Sequence, residues 1–274
     1  MIIKTLVENR SISKEYGCEH GLSLYIETGQ HKLLFDTGAS DLFYENGKKL
    51  GVRFREIDFA VISHGHFDHG GGLKKFLQEN HKAGLYMHSQ AFGQYYALRQ
   101  NGEKEYIGLD QELQNEDRII FTKGSFTITD KLELYSDIQH IAPLPVANSH
   151  LMMEQKGRLV RDSFEHEQNL IIMENDKSVL ITGCAHNGIV NIVEQFKIAK
   201  GYFPDCVIGG FHLAGNLPGG GESAEVIKEI ANYLLFTKAK YYTGHCTGIE
   251  PYNQLKEIMG KEIDYLPAGG EIII

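Results

Sequence analysis

Apolar and polar residues alternate in several short segments of this chain, a pattern typical of strands with at least one buried face. Residues 21–27 alternate in this way, residues 28–31 have the composition of a turn, and residues 32–35 return as a second strand. Residues 169–174 and 178–182 repeat the arrangement around another polar turn. The pattern therefore predicts two β-hairpins that are far apart in the sequence.

Apolar residues three or four positions apart predict helices elsewhere. In residues 189–199, for example, Ile189, Ile192, Val193 and Phe196 fall on one helical face. Helices between strands return the chain to the same sheet. The same patterns predict helices at residues 42–52, 73–79, 91–100 and 224–236, and strands at residues 57–63, 84–88, 118–121, 125–128, 132–135, 206–208, 241–243 and 271–274.

Four side chains that can bind a metal lie within six consecutive positions after the apolar run 59–62. Residues two apart in an extended segment point the same way, so His64 and His66 can hold one ion from the same side. A turn further on would bring Asp68 and His69 to a second ion. Imidazole with carboxylate is the ligand combination expected for zinc, and iron or manganese suits sites richer in oxygen.

Three later strands end in glycine followed by residues that can bind a metal. Because strands joined by helices return to one sheet, these ends can converge on a single edge. Glycine lets the backbone turn sharply and approach an ion closely. The three segments are Gly183-Cys184-Ala185-His186, Gly210-Phe211-His212 and Gly244-His245.

Other polar residues near predicted strands have more than one interpretation. Asp36 follows residues 32–35, where it could orient a metal-bound imidazole through the second ring nitrogen or cap a turn. His88 ends the strand at residues 84–88, a position where a histidine is more often structural. His20 is interpreted as a surface residue or as a support for the site.

The H-x-H-x-D-H pattern at residues 64–69 resembles the signature of the metallo-β-lactamase superfamily. This resemblance implies an α/β fold, namely an αββα sandwich with a one- or two-metal site at one sheet edge. We expect a single domain over residues 1–274, for which the chain is long enough. Residues 91–160 exceed what the compact family core needs, so we expect an inserted α+β segment or cap there.

The resemblance also assigns roles to single residues. Asp36 matches the family's strand-D-T-G motif, which favours the role of orienting a metal-bound imidazole. His245 falls where the family's last histidine binds the second metal. Cys184 stands where the family has an aspartate that bridges both metals. Either the Cys184 thiolate contributes or His186 reaches the metals in its place, and we favour His186.

The family's middle histidine is harder to assign, because the expected insertion changes the spacing. His166 is the nearest candidate, and His140 and His150 are its rivals. His212 is a candidate for contact with either the metal or the substrate. Four segments are similar to one branch of the superfamily, the metal-dependent hydrolases labelled as 7,8-dihydropterin-6-methyl-4-(β-D-ribofuranosyl)-aminobenzene-5′-phosphate synthase-like. These segments read D-S-F-E-H-E-Q, T-G-C-A-H-N-G-I-V-N, G-G-F-H-L and G-H-C-T-G.

The composition argues against some partners. A formal net charge of −9 disfavours a nucleic-acid groove, which needs a clustered basic surface, but it leaves a small anionic substrate at a metal open. No run approaches the roughly 18 to 20 apolar residues of a membrane span. Residues 1–7 are too short and too mixed for a signal peptide, and the four cysteines form no C-x-x-C pair. We expect the protein to be cytoplasmic, and the sequence leaves open whether it forms a homo-oligomer.

The leading interpretation is a metal-dependent hydrolase that uses a metal-activated water. We expect the metal to be zinc, with two ions per chain. Asp68 is the candidate catalytic residue, which would orient that water or accept its proton. The predicted helix at residues 73–79 and the glycine-rich residues 219–221 favour a phosphate-bearing substrate over a plain ester. The alternatives are a pterin-related aminobenzene-phosphate synthase and a non-catalytic metal-binding sensor.

Overall fold

The computed structural model describes residues 1–215 and 220–274, which form short strands joined by hairpins, loops and helices. The strands are β1 (Ile2–Val7), β2 (Ser23–Glu27), β3 (Lys32–Phe35), β4 (Phe59–Ile62), β5 (Gly84–His88), β6 (Tyr95–Leu98), β7 (Lys104–Tyr106), β8 (Ile119–Thr122), β9 (Ser125–Thr129), β10 (Leu132–Tyr135), β11 (Leu151–Gln155), β12 (Arg158–Arg161), β13 (Asn169–Glu174), β14 (Lys177–Ile181), β15 (Cys206–Gly209), β16 (Lys240–Thr243), β17 (Ile263–Tyr265) and β18 (Glu271–Ile273). The helices are α1 (Leu42–Lys49), α2 (Phe67–Gly70), α3 (Leu73–Glu79), α4 (Ile189–Lys200), α5 (Ala224–Thr237) and α6 (Ile249–Met259).

Two large sheets of seven strands each have a similar plan, in which one half is antiparallel and the other parallel. The first has the order β18-β1-β2-β3-β4-β5-β8, and the second has the order β17-β16-β15-β14-β13-β10-β9. The run from β3 to β8 is parallel in the first sheet, as is the run from β14 to β17 in the second. Each parallel half therefore places the carboxyl ends of its strands along one edge.

Successive residues of a strand point to opposite faces, so each sheet can present one apolar face to the other. The two sheets pack together through these faces. In β3, Leu33 and Phe35 enter the core between the sheets, whereas Leu34 packs with the layer of α1 and α3. Helices α4, α5 and α6 cover the outer face of the second sheet, where Val207 and Tyr241 are buried. This arrangement confirms the αββα sandwich that the resemblance implied.

A third, smaller sheet has the order β12-β11-β6-β7. It has its own small core, to which Tyr95 and Ala97 contribute. The helix predicted at residues 91–100 is therefore wrong, because Tyr95–Leu98 form a strand. Over so short a run the apolar residues fit both periods, and tertiary packing decided for the strand.

The segment at residues 91–160 is not one inserted unit. Strand β8 extends the first large sheet, and β9 and β10 extend the second. The third sheet is made from two separate stretches, one with β6 and β7 and the other with β11 and β12. The described part of this segment contains short 3₁₀ helices but no α-helix, so its expected α+β character is wrong as well.

Most other predicted elements are confirmed to within a few residues, and α3 has the predicted bounds, Leu73–Glu79. The strands β1, β7, β11, β12 and β17 were not predicted. Within residues 1–215 and 220–274, none of the helices combines the length and the apolar character that crossing a bilayer requires.

Candidate metal centre

The predicted site residues lie at the edge where parallel strands of both large sheets end. From the first sheet, β3 leads into Asp36 and β4 leads into the loop with His64 to His69. From the second sheet, β14, β15 and β16 lead into the three glycine-containing segments. A crevice outside the carboxyl ends of strands is the usual place for a ligand in α/β proteins.

Asp36 anchors the metal-binding loop. Its Oδ2 lies 2.6 Å from Nδ1 of His69, which donates to it, and its Oδ1 accepts the backbone N–H of Ser63 at 2.7 Å. Asp36 has a φ of 59°, in the left-handed region that Asp tolerates better than most residues. These contacts fix the His69 ring with Nε2 facing the site, which is how a carboxylate orients a metal-bound imidazole.

One group of donor atoms surrounds Nε2 of His69. Cys184 Sγ lies 3.1 Å from it, His245 Nε2 lies 3.2 Å from it, and Asp68 Oδ2 lies 3.7 Å from it. Asp68 Oδ2 is also 3.5 Å from His245 Nε2. Ligand atoms that bind one tetrahedral zinc ion are about 3.3 to 3.7 Å apart, so this group has the spacing of a metal site.

A second group contains His64, His66 and His186, whose ligand atoms all lie within 4.8 Å of one another. His64 Nε2 is 3.1 Å from His66 Nδ1. His186 donates from Nδ1 to Asn148 Oδ1 at 2.9 Å, which leaves its buried Nε2 without a partner among the described residues. Burial lowers the pKa of all three rings, so they are neutral at pH 7, as metal binding requires.

The two groups fit a divalent metal by their chemistry. They combine buried imidazoles with one thiol and one carboxylate, a donor combination that suits zinc. Burial raises the pKa of Asp68, but His69, His20 and His245 together lower it well below its usual range. Asp68 is therefore ionised and can serve as a ligand.

The expected choice between Cys184 and His186 does not arise in the structure. Cys184 Sγ joins the group around His69, and His186 Nε2 joins the group of His64 and His66. Glycine makes the approach of these strand ends feasible. A Cβ on Gly183 would clash with Ser63 Oγ, and a Cβ on Gly210 would clash with Cys246 Sγ.

His166 lies beside the site, but both of its ring nitrogens already have partners. Nδ1 accepts the backbone N–H of Gly65 at 2.9 Å, and Nε2 donates to Asp162 Oδ2 at 3.1 Å. The third histidine beside His64 and His66 is therefore His186. Of the rivals, His140 contacts Asn187 Oδ1 at 2.8 Å, and His150 faces the neighbouring cavity.

His88 and His20 have different surroundings. Nδ1 of the buried His88 accepts the backbone N–H of Gln90 at 3.3 Å, and burial lowers its pKa to about 4. These features fit the structural interpretation. His20 is half exposed, and its Nε2 lies 3.2 Å from Asp68 Oδ2. It therefore supports the site directly.

Several residues that hold the ligands in place were not predicted. Glu8 Oε1 accepts the backbone N–H of His245 at 2.6 Å, and Asn9 Oδ1 accepts its Nδ1–H at 2.8 Å. These two polar residues directly follow β1, so the strand pattern of residues 2–7 could have found them. No local signal marks Glu167, whose Oε1 accepts the backbone N–H of His186 at 2.7 Å.

The three glycines that precede α3 are explained by packing. A Cβ on Gly71 would clash with the carbonyl oxygen of Ala39, and one on Gly72 would clash with Phe43. The glycine run therefore allows close approach of the backbone and gives no support to an anion site at this seven-residue helix. Of the glycine-rich residues 219–221, Gly219 lies outside the described residues.

A cavity of about 310 Å³ opens onto both groups of donor atoms. Its lining residues come from the site loops and from the third sheet and its connections. Its lining residues are Asn9, His20, His66, Phe67, Asp68, Ala97, Arg99, Ile107, His150, Leu151, Cys184, His186, His212, Ala214, His245, Cys246 and Gly248.

Comparisons with known proteins find relatives over most of this chain. The family model of the metallo-beta-lactamase superfamily matches residues 16–212. An uncharacterized protein of Methanocaldococcus jannaschii is 30% identical over 266 residues, which cover 94% of this chain and 94% of the relative. The 7,8-dihydropterin-6-methyl-4-(beta-D-ribofuranosyl)-aminobenzene-5′-phosphate synthase of the same organism is 28% identical over 290 residues, which cover 97% and 94%.

Among solved structures, a crystal structure described as a metal-dependent hydrolase of the beta-lactamase superfamily is similar over its whole length. It covers 100% of this chain and 99% of its own chain, with 28% sequence identity and a TM-score of 0.83. The similarity therefore extends through the third sheet as well as the sandwich.

Proposed function

Because the chain belongs to the metallo-beta-lactamase superfamily, we propose that it is a metal-dependent hydrolase of a small phosphate-bearing or ester substrate. The observation that carries this proposal is the convergence of buried donor atoms beside an open cavity. In particular, the unpartnered Nε2 of His186 lies with His64 and His66, where a metal would satisfy it.

We further propose zinc as the metal, in about two sites. His64, His66 and His186 would hold one ion, and Asp68, His69 and His245 would hold the other. Cys184 lies within reach of both groups, and its soft sulfur favours zinc over manganese. Iron is the main alternative, since imidazole and carboxylate also suit it.

A bound divalent metal supplies Lewis-acid activation of water and of the scissile bond. The residues of the chain supply position and charge around it. Asp68 is ionised, so it can accept a hydrogen bond from a water and orient it, whereas its low pKa makes it a poor proton acceptor. His20 contacts the same carboxylate oxygen from the cavity side and helps to hold it.

Hydrolysis of model substrates by His64→Ala and His66→Ala proteins tests the proposal. We expect the wild-type, metal-loaded protein to cleave bis(p-nitrophenyl) phosphate or p-nitrophenyl acetate, and each variant to lose metal and activity together. Thermal stability should fall as well, because a ligand at a hundred times its Kd stabilises the native state by about 2.7 kcal/mol. The exposed His81 provides a matched control, since His81→Ala should change none of these quantities.

A variant that keeps its full metal content would remove His64 or His66 from the site. A loaded wild-type protein that cleaves neither substrate would instead favour a non-catalytic metal-binding protein.

A second candidate function is that of the synthase, to which this chain is 28% identical over nearly its whole length. The cavity beside the donor groups is compatible with either reaction. Incubation of the metal-loaded protein with a 6-hydroxymethyl-dihydropterin pyrophosphate and a ribofuranosyl-aminobenzene phosphate, which would couple with loss of pyrophosphate, would distinguish them. A coupled product supports the synthase, and unchanged substrates exclude it.

A further inference from the structure

We infer that Arg99, His150 and His212 form an anion subsite in the cavity, which holds the phosphoryl oxygens of a small phosphate ester. This inference rests on the proposed function, and it narrows the substrate from phosphate-bearing or ester compounds to phosphate esters. It also assigns a role to the third sheet, because Arg99 directly follows β6 and His150 directly precedes β11.

His212 is the first observation. Its side chain is about nine-tenths buried and lines the cavity, and neither ring nitrogen has a hydrogen-bond partner among the described residues. Its ring centroid lies 4.2 Å from that of His186, so it borders the metal groups. Buried polar groups are nearly always hydrogen-bonded, and a ligand in the cavity is the partner that this ring lacks.

His212 also lies close enough to Cys184 and His186 to share a metal with them, but the two groups of metal ligands are complete without it. His64, His66 and His186 already form one group of three, and the group around His69 already has four members. Its backbone has a φ of 51°, an unfavourable conformation for histidine that persists only when its surroundings hold it. The fold thus keeps a hydrogen-bonding ring at the cavity wall beside the metal site.

The charge around the cavity is the second observation. Arg99, His20, His150 and His212 line it, and Asp68 is the only carboxylate among its lining residues. This local excess of cationic and cation-forming groups contrasts with the chain's net charge of −9. Burial lowers the pKa of His150, and nearby His212 and Arg99 lower it further. The His150 ring is therefore neutral at pH 7, and it can donate an N–H hydrogen bond to an anion that the Arg99 charge attracts.

Arg99 stands at the rim of the cavity, directly after β6. Its guanidinium pairs with Glu105 in β7, and both side chains are about half exposed. An exposed ion pair of this kind contributes little to folding stability. Its main effect here is to hold the Arg99 guanidinium in position. A guanidinium has five N–H donors, which leaves donors for a phosphate oxygen in addition to the carboxylate.

Apolar lining residues of the cavity suit the organic part of a phosphate ester. They are Phe67, Ala97, Ile107 and Leu151, and Phe67 is 40% exposed although it is a large apolar side chain. A cavity of about 310 Å³ has the size of a site for a small molecule. The substrate class is therefore a phosphate ester of a small, partly apolar group.

Calorimetric titration of the metal-loaded protein with inorganic phosphate tests the subsite. Arg99→Gln and His212→Gln should each weaken phosphate binding by about tenfold or more, because a hydrogen bond to a charged group is lost. Arg158→Gln, on an exposed residue of the same sheet, should bind phosphate as the wild type does. Metal content, measured on the same samples, should be unchanged in all three variants.

Kinetics on two substrates separate this inference from the proposed function. In Arg99→Gln, we expect KM for p-nitrophenyl phosphate to rise about tenfold with little change in kcat, while cleavage of the neutral p-nitrophenyl acetate stays constant. If the wild type cleaves neither ester but phosphate binding still depends on Arg99 and His212, the subsite stands and the hydrolase proposal falls.

Unchanged phosphate binding in both variants would overturn the subsite. Loss of metal from His212→Gln would also overturn it, because His212 would then be a metal ligand. Arg99 is half exposed, so its variant decides the matter even where His212→Gln does not fold.

Discussion

Cys184 and His186 lie two residues apart on one loop, and each reaches a different group of donor atoms. Cys184 Sγ is 3.1 Å from His69 Nε2, and His186 Nε2 lies with His64 and His66. The backbone between them turns through Ala185, which has a φ of 58°. One short loop from the second sheet therefore contributes to both proposed metal sites.

Cys184→Ser should lower metal content, because a serine hydroxyl is a much poorer ligand for zinc than a thiolate. Removal of a residue that only orients a metal ligand lowers metal affinity by roughly 10- to 100-fold. We expect the loss of metal affinity in Cys184→Ser to be at least as large. His186→Ala should have a comparable effect on the other site. Elemental analysis of both variants measures this, with the exposed Cys18→Ser as the control. Full metal content in Cys184→Ser would make Cys184 a wall residue only.

Local spacing was enough to predict the H-x-H-x-D-H residues, because four ligands within six positions need no tertiary information. Cys184 and His186 were found by the same means, but their division between two groups depends on how the two sheets meet. The contact of His166 with Gly65 was not predictable because it spans 101 residues of sequence, whereas Asp162, the other partner of His166, lies only four residues away.

The third sheet and the residues that directly follow it support His64 and His66, which lie after β4 of the first sheet. Asp162 directly follows β12, and its Oδ2 lies 3.1 Å from His166 Nε2 and 3.8 Å from His66 Nε2. His166 in turn accepts the backbone N–H of Gly65, between the two metal-binding histidines. Tyr95 of β6 stacks on the His166 ring, with centroids 4.0 Å apart.

Asp162→Asn should therefore weaken metal binding by about 10- to 100-fold, as expected for a residue that orients a ligand. Burial raises the pKa of Asp162, but His166 and His66 lower it well below its usual range, so the variant removes a negative charge. Metal affinity measured by competition with a chelator provides the readout. Asp176→Asn, in an exposed turn, is the matched control, and equal affinities in both variants would rule out the supporting role.

The elements that were predicted correctly are those whose apolar residues keep one period for long enough, such as α4 and α5. None of the strands of the third sheet was predicted. One reason is that they are only three to five residues long, and Lys104–Tyr106 is exposed throughout. Its pairings join residues 95–97 with residues 151–153, and short-range patterns carry no signal for such contacts.

The sandwich brings many histidines into one buried cluster, and their pKa values are shifted in opposite directions. Burial lowers the pKa of His64 and His186 well below 6.5. Burial also lowers the pKa of His69, but Asp36 and Asp68 more than offset this and raise it to about 9. The stability of the metal-free protein must therefore depend on pH in both directions.

We expect the metal-free protein to be most stable near neutral pH. Below about pH 6.5 the unfolded state takes up protons that buried His64 and His186 cannot, so stability falls as pH falls. The stabilisation from His69 is complete below pH 6.5 and is lost as pH rises through about 9. Calorimetric Tm values of chelator-treated protein across this range test both arms. A Tm that is higher at about pH 5 than at pH 7 would contradict the neutral state of the buried rings.

In the proposed function, the converging donor groups hold metal on which hydrolysis depends. The most direct measurement combines elemental analysis with cleavage of bis(p-nitrophenyl) phosphate and p-nitrophenyl acetate on one preparation, before chelation, after chelation and after zinc is restored. We predict about two ions per chain, loss of metal and activity together, and recovery of both with zinc. Protein that is free of metal yet retains full hydrolytic activity would contradict the claim.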